Sequence, residues 1–257
     1  MNTIVAGLWA STLAGLCTGV GAIPILFTRQ LSPRIQGILL GFGGGVMLAA
    51  TSFSLIIPGI ESAVRQGYSD TGAALAIAAG LMLGGVFLWY AHNNFPHEHI
   101  FKGREGPSLA NFERIWLFII AITLHNFPEG LAVGVGFGAD DPSTGYALAM
   151  GIGLQNIPEG LVVAIGLRSL DYSVAYSFGV SVLTGLVEPV GGLLGVTVVS
   201  IAQPLLPWGM AFAAGAMLFV IADEIIPETQ EKGIAQEGTL GVMVGFAVMM
   251  VLDIALG

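Results

Sequence analysis

Residues 114–138 read RIWLFIIAITLHNFPEGLAVGVGFG, and residues 144–168 read TGYALAMGIGLQNIPEGLVVAIGLR. Each run is long enough to cross a bilayer, because about 20 residues at about 1.5 Å rise span the hydrocarbon core. Each also carries the same polar word. The first is His125-Asn126-Phe127-Pro128-Glu129-Gly130, and the second is Gln155-Asn156-Ile157-Pro158-Glu159-Gly160, 30 residues later. A carboxylate at mid-membrane costs roughly 2.5–3.5 kcal/mol on insertion scales. Two of them, set among amides, prolines and a histidine, point to a site, and its natural guest is a cation.

The composition agrees with a membrane. Of 257 residues, 54% are hydrophobic and 10% charged, against about 25% charged in a soluble domain. The net charge of −9 argues against nucleic acid as a partner, which needs basic patches. Cys17 is the single cysteine, so an internal disulfide is excluded. The apolar N-terminus lacks a basic start and reads as a first span rather than a cleaved leader.

Hydropathy and breakers predict one all-α polytopic domain over 1–257. Its eight spans lie at about 4–27, 36–58, 71–91, 114–138, 144–168, 172–201, 206–227 and 239–256. The connections are short except from His92 to Glu113. Connections 1, 3, 5 and 7, with their helix edges, hold Arg29, Arg34, Lys102, Arg104, Arg114, Arg168 and Lys232, and the other side holds Arg65. This bias puts the odd connections in the cytoplasm and both termini outside.

Two repeats are visible. Spans 4 and 5 share the Pro-Glu-Gly word in an antiparallel pair. Spans 2 and 7, also antiparallel, share Gly45-Val46-Met47-Leu48 with Gly215-Ala216-Met217-Leu218, and Ile56-Ile57-Pro58 with Ile225-Ile226-Pro227. Inverted repeats with interrupted helices are common in transporters, whose sites lie near the midplane. Gly15-x-x-x-Gly19 and Gly41-x-x-x-Gly45 read as close helix-packing sites rather than nucleotide loops.

On a helix, i and i+4 share a face, as do i and i+3. His125 and Asn126 therefore join Glu129, and Gln155 and Asn156 join Glu159. Pro128 and Pro158 free the carbonyls of Leu124 and Leu154. Span 6 adds Glu188 beside Pro189, span 7 adds Asp223 and Glu224, and span 8 adds Asp253. With no Lys or Arg in mid-span, these carboxylates are protonated, bind a cation, or both. Glu188 could also be a packing residue, and Asp223, Glu224 and Asp253 could be solvated near the span ends. One imidazole among carboxylate and amide oxygens suits zinc, and admits cadmium, iron or manganese. His92, His97 and His99 form a cytoplasmic group that either receives metal or is simply a solvated loop. Met47 and Met217 are core fillers or gates.

With these motifs the chain resembles the ZIP (Zrt/Irt-like) family of divalent metal transporters, in its bacterial form. The resemblance covers all eight spans and implies a 3+2+3 helix arrangement with an inverted repeat. It implies one metal site at His125, Glu129, Gln155 and Glu159, and a second at Asn126, Asn156, Glu159 and Glu188, with Glu159 bridging. It places Ser54, Glu224 and Asp253 along the pathway and makes Met47, Ala132 and Met217 a hydrophobic gate. Dimers that move metal by an elevator motion in the plasma (inner) membrane also follow from it. Gln155 replaces a histidine found in many members, and Asn156 an aspartate found in some. The first change implies weaker zinc ligation and a less strict preference for zinc, and the second a second site with less negative charge. The divalent ion is cargo, not a catalytic cofactor, and the bilayer is the other partner. The competing readings are a membrane metalloenzyme with a carboxylate-bridged metal pair, or a proton-coupled carrier of an organic solute. The first lacks the Glu-x-x-His ligands of such centres. The second lacks an aromatic solute pocket in spans 4 and 5.

Overall fold

A computed structural model describes residues 2–28, 31–94, 97–99, 103–105, 114–139, 142–169, 171–230 and 234–256. The chain is an all-helical membrane bundle with one small hairpin. Helix α1 (Thr3–Ala22) starts on Asn2, whose side chain accepts from the Ile4 amide, and it runs on as a 3₁₀ turn, Ile23–Leu26. Helix α2 (Pro33–Ala49) starts on a Ser32 cap with proline in its first turn, where a missing N–H costs nothing. It continues through a π-helical stretch, Ala50–Ile56, into α3 (Ile57–Arg65). Helix α4 is Asp70–Asn94, α5 Arg114–Phe137 and α6 Pro142–Ser169. Helices α7 (Val174–Gly185) and α8 (Glu188–Ile201) follow one another with a break just before Glu188. Helix α9 (Leu206–Val220) leads through a second π-helical stretch, Ile221–Ile225, into α10 (Ile226–Thr229), and α11 is Ala235–Leu256.

Among the described residues, seven helical segments are long and apolar enough to cross a membrane. The predicted fourth span falls on α5, most of whose first half lies outside the described side chains. The predicted long connection after span 3 departs from a plain loop. His92 belongs to the last turn of α4, and His97–His99 (β1) pairs antiparallel with Gly103–Glu105 (β2).

The helices sort into two bundles. One holds α1 and α5–α8, the other α2–α4 and α9–α11, and they meet along α2/α6, α5/α9 and α11/α6. Within them, α2 packs on α11 as α9 packs on α4, and α1 packs on α6 as α5 packs on α8. These pairings exchange under the inverted repeat read from spans 2 and 7. The contacts between helices are backbone-close. A Cβ on Gly41 or Gly45 would fall 2.1 Å from a carbonyl oxygen of α11, that of Gly238 or Val242. Only a glycine lets the two helices approach this far.

The π-helical stretches occupy matching places, each ending directly before or at the Ile-Ile-Pro word. Both prolines, Pro58 and Pro227, lie in the first turn of the following helix, so their missing amides leave the preceding turn to close with wider hydrogen bonds.

Candidate metal centre

The polar words of spans 4 and 5 come together on facing helices α5 and α6, and α8 supplies the third wall. Pro128 and Pro158 sit inside helices that continue through them. The break before α8 puts Glu188 in its first turn, where the unpaired N–H groups and the positive end of the helix dipole favour a carboxylate.

Glu129, Asn126, Asn156 and Glu188 are fully buried, and Gln155 nearly so. Gln155 Nε2 donates to Glu129 Oε1. Asn156 Nδ2 donates both to Glu188 Oε1 at 2.6 Å and to the Ala14 carbonyl of α1 at 2.8 Å. The second of these contacts fixes the amide, since turning it over would face its oxygen against a main-chain oxygen. Glu129 interacts electrostatically with Glu159 and Glu188, and Glu159 in turn with Glu224.

Six buried oxygens here have no hydrogen-bond partner: Asn126 Oδ1, Glu129 Oε2, Gln155 Oε1, Asn156 Oδ1, Glu159 Oε1 and Glu188 Oε2. An orphan acceptor in a low-dielectric interior costs about 1–3 kcal/mol, and six on α5 and the two helices packed against it, α6 and α8, call for an occupant. An acceptor-rich set of this kind fits a cation. His125 lies on α5 one residue before Asn126, and its side chain is outside the described residues.

A second cluster joins residues that the sequence reading kept apart. His92 Nε2 is 3.0 Å from Glu224 Oε1, and His92 Nδ1 is 3.7 Å from Asp223 Oδ2. Ligand atoms of the three lie within 4.8 Å of one another, a geometry able to hold a metal ion. His92 and Glu224 are buried, the ring of His92 packing edge-on against Phe219 at 5.1 Å. His92, placed by the sequence reading in the connection after span 3, belongs instead to the end of α4, and of the two readings left open for Glu224 the solvated one falls away. The side chains of His97 and His99 lie outside the described residues.

At the opposite end, Ser54 donates to Asp253 Oδ1. Both line a cavity of about 860 Å³ with Glu61, Arg65, Ser143 and Thr144. Glu61 and Arg65 are additions that sequence reasoning missed. Their pairing, at 3.7 Å and four residues apart, looks in sequence like any exposed helix pair. Met47, Ala132 and Met217 share one buried apolar cluster with Val46, Val133 and Ile152. The seven predicted ligand residues all lie on α5, α6 and α8 in one bundle. Ser54, His92, Asp223, Glu224 and Asp253 all lie in the other.

Comparison with known proteins bears on this arrangement. Residues 92–253 match the family described as ZIP Zinc transporter. Over 252 residues the chain is 51% identical to a Myxococcus xanthus protein named Zinc transporter GufA, covering 98% of this chain and 99% of that one. It is 46% identical over 243 residues to Zinc transporter ZIPB of Bordetella bronchiseptica, covering 93% and 78%. It is 33% identical over 330 residues to human Zinc transporter ZIP11, covering 97% and 95%.

Proposed function

The chain belongs to the ZIP zinc transporter family, and from that premise we propose that it carries divalent transition metal, zinc first, into the cytoplasm through a site on α5, α6 and α8. The protein is a transporter rather than an enzyme, and zinc is its cargo. The observation that carries the reading is the set of six buried, unpartnered oxygens on those three helices. In this reading His125, Glu129, Gln155 and Glu159 form the primary site. Asn126, Asn156 and Glu188 line the adjoining position, and Glu159 reaches both.

The pathway we propose runs from the cavity at Ser54 and Asp253, past the apolar cluster of Met47, Ala132 and Met217, to the metal site. It leaves by way of His92, Asp223 and Glu224, with His97 and His99 beyond. The electrostatic link between Glu159 and Glu224 supports the last step. The positive-charge bias supports odd connections in the cytoplasm and both termini outside, in an inner (plasma) membrane. All ligand residues sit on one bundle and all relay residues on the other, which supports an elevator motion of the first against the second. Eight crossings, a single domain over the whole chain, and a homodimer complete the proposal. Cadmium, iron and manganese are further candidate cargoes.

The test is uptake of radiolabelled zinc by proteoliposomes. Uptake above protein-free vesicles, saturable and competed by cadmium, is expected. Zinc accumulation equal to that of empty vesicles would overturn the reading.

Two expectations follow directly. Gln155 offers an amide oxygen where an imidazole would bind zinc more strongly. Gln155→His is therefore expected to raise zinc preference over manganese several-fold in competition assays, and an unchanged preference would remove Gln155 from the selectivity determinants. Protons are the second issue. Glu129, Glu159 and Glu188 have no basic partner among the described residues and hold either a proton or a metal, and ligands must be deprotonated to bind. Zinc affinity is expected to fall as pH drops. Calorimetry in buffers of different ionisation enthalpy should give buffer-dependent heats, and heats independent of buffer would show that no net protons leave.

A further inference from the structure

The donors and acceptors around the centre do not balance for a bare ion. Among the described residues six oxygens stand open, and so does one donor group, Asn126 Nδ2, which is buried without a partner. A cation satisfies oxygens and repels an N–H. A second cation in the adjoining position would take more of the oxygens and leave Asn126 Nδ2 worse placed. A metal-bound water meets both demands. Its oxygen gives one lone pair to the metal and has another to accept from Asn126. Its two O–H groups can donate to open oxygens such as Glu188 Oε2 and Asn156 Oδ1.

Glu188 has less need of a second ion than its burial suggests. Asn156 Nδ2 already donates to its Oε1, and it stands in the first turn of α8, where the helix dipole favours negative charge. Asn156 itself is held by the Ala14 carbonyl, so its N–H groups are committed, and its oxygen is left without a partner.

We propose that the protein carries its metal singly and partly hydrated, with one cation in the His125–Glu129–Gln155–Glu159 set and a metal-bound water filling the Asn126–Asn156–Glu188 set in place of a second cation. The inference rests on the metal site proposed above and adds the form of the cargo.

Cobalt(II), a spectroscopic stand-in for zinc, provides the test. Purified full-length protein in nanodiscs is loaded with cobalt, desalted and assayed for metal per chain. Oxygen-17 ENDOR spectra are then compared in ordinary and 17O-enriched water, because the ring N–H of a ligating His125 also exchanges with D2O. One cobalt per chain with solvent 17O coupled to it is expected in Glu224→Ala, which disables the His92–Asp223–Glu224 cluster. Asn126→Leu should keep the cobalt at the centre and lose most of that coupling. Two cobalt ions per chain that persist in Glu224→Ala, or cobalt without 17O coupling, would overturn the proposal. Full coupling retained in Asn126→Leu would overturn the part given to Asn126. Should Asn126→Leu not fold, the Glu224→Ala spectra still decide. Glu129→Ala separates the two levels: if it binds as much cobalt as wild type, the metal site itself is misplaced, whatever the hydration.

Discussion

Glu159→Ala is expected to abolish zinc uptake, to below a tenth of wild type, while leaving a folded, membrane-inserted protein. Glu159 shares a helical face with Gln155 and Asn156 and interacts electrostatically with Glu129, Glu188 and Glu224. In the proposed site it is the carboxylate common to both halves, and it also feels the charge of Glu224 in the next cluster. Its Oε1 has no hydrogen-bond partner, so alanine leaves no donor orphaned. Removing a carboxylate that has no counter-ion among the described residues is not expected to lower stability. Uptake in proteoliposomes, with size-exclusion profile and melting temperature as controls for folding, gives the answer. Near-normal uptake would remove Glu159 from the centre of the pathway.

Gly160→Ala is expected to damage the protein through packing alone. A Cβ there would lie 1.9 Å from the Thr18 carbonyl oxygen of α1. Helix α1 cannot yield freely, because Ser181 donates to the Gly160 carbonyl at 3.0 Å and approaches that of Thr18 at 3.4 Å, tying α7 to both helices. Overpacking of this kind costs about 1–3 kcal/mol or more. We expect a melting temperature several degrees lower and uptake reduced at least several-fold. Gly179→Ala is the control. Nothing lies within 4 Å of its Cβ position, and Ala is favoured over Gly in a helix by about 1 kcal/mol. Equal melting temperatures for the two variants would show that the α1/α6 seam has slack the structure does not reveal.

The sequence was most readable where the physics is local. Apolar runs of membrane length announce helices without knowledge of their neighbours, and the i, i+3 and i+4 rule gathers Gln155 and Asn156 with Glu159 on the strength of helix geometry alone. The glycine words also spoke clearly, since Gly15, Gly41 and Gly45 each meet a facing carbonyl. The π-helical stretches were silent. One additional residue in a turn does not disturb an apolar pattern when Ala, Leu and Ile lie on both sides of it. The pairing of His92 with Glu224 was silent for another reason: 132 residues separate them, and hydropathy carries no information on which helix ends meet. Asn156 shows the limit most sharply. The sequence gives it as a ligand, but that its nitrogen is taken by Ala14 and Glu188 depends on how closely α1 and α8 approach.

The two π-helical stretches also bear on how chains of this architecture can change length. A π turn amounts to an α-helix with one residue too many, and the helix on either side keeps its register. Removing a residue from 50–56 or 221–225 would let the turn relax to α and leave the flanking faces where they are. Removing one from the Gly41–Gly45 stretch would swing half the helix by about 100° and turn its glycines away from α11. Single-residue deletions are thus tolerable at two matched points and disruptive where the glycines pack. These stretches contain Ser54 and Glu224, so drift in chain length and drift in the relay residues fall in the same few positions.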